Sequence, residues 1–162
     1  MARFSTKGLD EYIAKLEKLT SLSDTREFVG RAIFEGAAAV KPALLSELND
    51  LQVAQVYAKP GQKINTITSV QKAGLLDGFG IAKMRKDGNA YNVKLGFAGY
   101  NGQKTKKYPN GQPNALIARS IVSGTSFRAK NDFVRRAVNA SKAQALDAMK
   151  KEFEDEIKKA MS

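Results

Sequence analysis

Apolar residues recur at helical spacing towards both ends of this chain, and the pattern shortens and breaks up in the middle. Leu9, Tyr12, Ile13, Leu16 and Leu19 fall three or four apart and predict a short amphipathic helix over roughly residues 8–20. Asp24-Thr25-Arg26-Glu27 has the form of a capping box, with Asp24 as N-cap. It predicts a longer helix through Phe28, Val29, Ala32, Ile33 and the 37–40 run. Pro42 lacks an amide donor and is expected to kink or restart that helix. Leu44, Leu45, Leu48 and Leu51 then continue its apolar face.

Residues 52–66 contain Pro60-Gly61 and lack helical period, which reads as a loop or irregular extended arm. Ser69 is placed to cap a short helix, with Gly74 as its weak point. Two strand-like runs follow, Ile81–Lys86 and Ala90–Phe97, with Asp87-Gly88 between them as a hairpin turn. Residues 98–113 are rich in Gly, Asn, Lys and Pro and carry few apolar groups, so a flexible basic loop is expected there. Asn114 opens a helix over 115–123 that Gly124 is placed to end. Asp132 is the expected N-cap of a final helix over about 133–160. Its apolar positions include Val134, Val138, Ala145, Met149, Phe153 and Ile157. At ~1.5 Å per residue that helix is ~40 Å long, so part of it is expected to pack on a neighbouring subunit. The fold class is therefore α+β: a small antiparallel sheet packed by helices, with a long C-terminal helix, all in one domain spanning 1–162.

Charge changes the picture most. Residues 83–142 hold 13 Lys+Arg against two acids, Asp87 and Asp132, and the rest of the chain is balanced at 14 and 14. The whole excess of +11 lies in one contiguous stretch. An acidic surface is expected to face it. Candidate partner contacts are Arg119, Thr125, Phe127, Arg128, Lys130, Arg135 and Arg136, with Lys104, Lys106 and Lys107 in the flexible loop. Tyr100 and Tyr108 flank those lysines, a spacing that suits base stacking but more often anchors a loop.

Composition points away from catalysis. The chain has neither His nor Cys, so histidine triads, thiolate nucleophiles and the usual zinc sites have no ligands. Asp87 and Asp132 have turn and cap roles to fill. Glu152, Glu154, Asp155 and Glu156 share a helix but only partly a face, and read as a solvated surface. Gly61-Gln62-Lys63 lacks the spacing of a phosphate-binding loop. No enzyme activity, cofactor or metal is expected. The N-terminal segment has no apolar core of signal-peptide length, and no apolar run spans a membrane.

Four segments carry a resemblance. GLDEYIAKLEKL (8–19), AGLLDGFGIAKMRKDGNAYNVKLGF (73–97), PNALIARSIVSGTSF (113–127) and FVRRAV (133–138) resemble, in order and spacing, the neck or tail-component family of long-tailed bacteriophages. They correspond to that family's opening helix, its helix-then-hairpin ending in Gly-Phe, its helix followed by Gly-Thr-Ser, and the start of its long closing helix. Asp132 stands where the family often has proline, and the loop 100–113 is unusually rich in lysine. The resemblance implies a structural virion protein, made in the host cytoplasm, that helps complete the tail and join it to the head. It implies copies of the chain in a closed ring, with a hexamer suggested by tail symmetry. It also implies contact with head-completion and tail proteins, double-stranded DNA passing through the ring, and no membrane. The charge pattern alone also fits a different class, a non-sequence-specific DNA-binding accessory protein using residues 83–142.

Overall fold

The computed structural model describes residues 22–54, 58–88 and 90–161. The predicted helix over 8–20 lies outside them. The fold is α+β. Its elements are α1 (Leu22–Asn49), α2 (Ser69–Gly78), β1 (Phe79–Ile81), β2 (Arg85–Asp87), β3 (Ala90–Asn92), β4 (Leu95–Phe97), α3 (Asn114–Ser123) and α4 (Phe133–Met161).

The helix α1 is one 28-residue element that contains Pro42, so the proline neither ends nor restarts it. It already runs at Leu22, two residues before the expected cap Asp24. The 29-residue α4 packs antiparallel against it. Phe28 stacks on Phe153 with ring centroids 4.2 Å apart, Gly36 meets the end of Met149, and Glu47 binds Arg136. The buried stripe of α4 is Phe133, Ala137, Ser141 and Ala145, a strict four-residue repeat. It starts one residue earlier than Val134, and Val138 and Phe153 are left exposed. The length of α4 is thus matched by α1 of the same chain.

The main core gathers Leu44, Leu48 and Leu51 of α1, Leu75 of α2, Phe79 of β1, Ile117 and Ile121 of α3, and Phe133 and Ala137 of α4. Phe133, Leu48 and Leu75 are its largest fully enclosed side chains.

The expected hairpin forms, with a defect. β1 pairs with β4 in the register Phe79↔Phe97 and Ile81↔Leu95, and β2 pairs with β3 as Arg85↔Asn92 and Asp87↔Ala90. Between the two ladders three residues of one arm oppose two of the other, as in a bulge. The sheet is accordingly two short two-stranded ladders. Asp87 is paired in β2, so the turn begins at Gly88, whose φ is +58°.

Two helix starts differ from expectation. α2 is capped by Thr68, one residue earlier than Ser69. Its hydroxyl accepts from the Gln71 amide at 3.1 Å, and Gln71 accepts from the Thr68 amide. Thr68-Ser69-Val70-Gln71 is a capping box visible in the sequence. At α4, Asp132 precedes the first helical residue, but the side chain that takes the Phe133 amide is Asn131, at 3.1 Å. The Asp132 carboxylate instead holds Lys130 at 3.1 Å and Arg135 at 2.7 Å. Asn114 opens α3 and Gly124 ends it, with φ +72°.

Candidate partner-binding surface

Loop 98–113 has few apolar anchors, yet it is tied down by polar ones. The Asn101 amide donates to Gln112 O, the Gln112 amide to Gln103 O, and Thr105 and Tyr108 exchange amide bonds at 3.0 Å each. These bonds fold the loop back on itself, with Lys104, Lys106 and Lys107 exposed around the turn. Its base lies on α2. A Cβ at Gly74 would come within 2.5 Å of Asn101 Cβ and 2.7 Å of Asn114 Oδ1, and one at Gly78 would strike Ala98 O. Gly74 therefore lets the loop dock, which outweighs its cost to the helix. Asn114 is buried at the same contact and donates from Nδ2 to Ala98 O at 2.8 Å. Of the flanking tyrosines, Tyr100 is exposed, while Tyr108 is half-buried with Lys107 Nζ 5.6 Å from its ring.

Residues 124–132 lie along the end of α3. Gly124 has no Cβ to obstruct Arg128 O and Lys130 N, each 3.2 Å from where one would stand. The Thr125 amide donates to Arg128 O at 2.9 Å and the Asn131 amide to Ile121 O at 2.9 Å. The strip 127–129 then pairs with Ile64 through Ile64 N to Phe127 O and Ala129 N to Ile64 O. Ile67 in turn pairs with 52–54. The irregular arm expected over 52–66 is thus held between the start of its own segment and the 127–129 strip.

The seven interface candidates separate. Arg128 is only 6% exposed. It turns inward, donating from Nη1 to Thr66 O at 3.1 Å and from Nη2 to Gln71 Oε1 at 3.4 Å. It is therefore not part of the open basic face on which the sequence places it. Thr125 is half-buried and its Oγ1 has no hydrogen-bond partner among the described residues. Phe127, beside Arg128, is 49% exposed. Arg119 is exposed on α3. Lys130 and Arg135 are exposed and share Asp132. Arg136 binds Glu47 at 2.6 Å and Asn131 at 3.2 Å. The Glu47 hydrogen bond raises its pKa against the opposing effect of desolvation. The Lys130 hydrogen bond likewise holds Asp132 below the usual carboxylate range. Part of the basic excess is thus already neutralised within the chain, whereas Lys104, Lys106, Lys107 and Arg119 are exposed and form no ion pair among the described residues.

Sequence reasoning missed Thr66 and Gln71, which bind Arg128, and Gln103 and Gln112, which line one cavity with it. The Thr68 capping box was a readable sign that Gln71 is anchored. No family model, curated protein or solved structure matches this chain. No helix among the described residues is long and apolar enough to cross a membrane.

Proposed function

We propose that this chain is a structural protein of a bacteriophage neck or tail top, building a ring from copies of itself that helps join tail to head. The four ordered sequence segments suggest the reading, and one surface feature supports it. Arg135, Val138, Lys142 and Leu146 project from one side of α4 and are all exposed. Apolar residues interleaved with cations make a poor solvent face and a good contact for an apolar, acidic neighbour. Arranged around a closed ring, such a face would be covered by the next copy or by an adjoining neck protein. The lysine-bearing turn of loop 98–113 would meet carboxylates or DNA phosphate.

A stop codon near residue 50 in the parent phage tests the proposal. Filled heads and tails that fail to join, or tails with faulty ends, are expected. Normal infectious particles would overturn it. Mass measurement of purified virions should find the chain at fixed copy number. Trypsin should first cut the free protein after Lys104, Lys106 or Lys107, and assembly should suppress those cuts. The second reading, a free DNA-binding accessory protein, draws on the exposed lysine cluster. It requires retardation of duplex DNA with steep salt dependence and absence from particles.

A further inference from the structure

Beside the strip 127–129 lies a cavity of about 210 Å³, lined among others by Thr66, Gln71, Gln103, Gln112, Phe127 and Arg128. Among the described residues, none that lines it is acidic. Arg128 brings a nearly buried positive charge to the wall, and its two hydrogen bonds go to a carbonyl and an amide oxygen, both neutral. Its Nε is enclosed without an acceptor, as is the Thr66 hydroxyl. Burial lowers the guanidinium's pKa from the ordinary arginine value, and no carboxylate offsets that. The surrounding amides are oriented the same way. Gln103 Oε1 is taken by the Thr68 hydroxyl at 2.8 Å and Gln112 Oε1 by Gln71 Nε2 at 3.0 Å. The uncommitted ends of both side chains are therefore their N–H donors. A wall rich in donors around a buried cation is costly unless an anion completes it.

We infer that this cavity is a socket for a carboxylate, supplied by an acidic side chain of a partner protein. A carboxylate entering the cavity would meet the Gln103 and Gln112 amides, and a small shift of the lining would bring it to the unpaired Nε of Arg128 and the Thr66 hydroxyl, both enclosed in the resting structure. Exposed Phe127 at the rim argues for a protein source, because a large aromatic beside a desolvated charge is the make-up of an interface anchor. A free ion would leave that ring in water. The inference concerns the socket alone and holds whether or not the chain belongs to a virion.

The test is the Arg128 Nε–H resonance in ¹⁵N-labelled full-length protein, identified by its loss in Arg128→Lys. N-acetyl-glutamate amide at constant ionic strength should shift it saturably, and N-acetyl-glutamine amide should not. Thr66→Val leaves Arg128 in place and should weaken the response about tenfold, the size of one lost hydrogen bond to a charged group. No saturable shift, or an equal shift with the glutamine compound, would overturn the proposal. Saturation at lower concentration with inorganic phosphate would also overturn it, since the socket would then be one for phosphate. A Thr66→Val response equal to that of the parent would place the carboxylate elsewhere. Should Arg128→Lys fail to fold, assignment through the bonds of Arg128 itself gives the same readout.

Discussion

The α1–α4 pair and the docked loop 98–113 do similar work with opposite materials. The pair joins two helices of 28 and 29 residues along a stripe of Ala, Phe and Leu, with ion pairs only at its margins. The loop is held on α2 by Asn101, Asn114 and backbone amides, around two glycines that let it approach. Burial of apolar area is non-directional and forgiving of small shifts. Buried hydrogen bonds are geometric, and each one broken leaves an unpaired polar group. The pair should therefore respond to lost volume, and the loop to added volume or a moved donor.

Two substitutions break the comparison most sharply. Leu48→Ala removes a fully enclosed side chain from the core beside the pair and should cost about 2–5 kcal/mol in urea unfolding. A loss under about 1 kcal/mol would mean that this part of the core collapses around the cavity. Gly74→Ala is the opposite case. Helix propensity alone predicts a gain of up to about 1 kcal/mol. The new Cβ, however, meets Asn101 Cβ and backbone, which cannot swing away like the end of a long side chain. The expected net result is destabilisation of about 1–3 kcal/mol, with loss of exchange protection at the Asn101 amide. A stabilised Gly74→Ala protein would show that the loop is not docked on α2.

The same contrast decides what the sequence could reveal. Helical period made the two long helices and the core positions Leu44, Leu48 and Leu51 legible, because burial of a stripe leaves a repeat. It placed Ala145 on the α4 stripe and Val134 against the core but missed Ala137 and Ser141, since Val138 looks more apolar than either. Small residues are buried there because α1 comes close. The α+β class and the Gly124 stop were equally readable from local chemistry. The loop was not. Its anchors are Asn, Gln and Gly, residues that signal a turn when read one at a time. Their partners lie 9 to 41 positions away. The inward turn of Arg128 was hidden for the same reason: charge counting cannot distinguish a solvated cation from one that Thr66 and Gln71 enclose.

A smaller effect sharpens the boundary between the two regions. Thr68 caps α2 and also donates to Gln103 Oε1 in the loop at 2.8 Å. Thr68→Ala should cost about 0.5–2 kcal/mol through the cap. If the loop depends on the same hydroxyl, protection at the Gln112 amide should fall with it. Thr68→Ser keeps the oxygen and should restore both. A stability loss with unchanged loop protection would confine Thr68 to capping.

The smallest effect is that of acid, and it should fall on one region only. Glu156 of α4 lies below the usual carboxylate range, chiefly through its hydrogen bond from Lys159 and then through Arg31 of α1. A carboxylate whose folded pKa is depressed stabilises the fold above its unfolded pKa, near 4.3. That contribution disappears as pH falls through the lower, folded value. Asp132, depressed chiefly by Lys130, behaves the same way at the start of α4. Both carboxylates are partly covered, but their cationic partners are exposed, so the change is modest and salt will reduce it further. The amide and hydroxyl groups that anchor the loop do not titrate in this range. Lowering pH from about 5 to about 3 should therefore reduce exchange protection at the Glu156 end of the α1–α4 pair and leave the Asn101 and Gln112 amides unchanged. Glu156→Gln should abolish most of that acid response at the same end. Parallel loss in both regions would mean that the loop is held by charge after all, through its lysines rather than its amides.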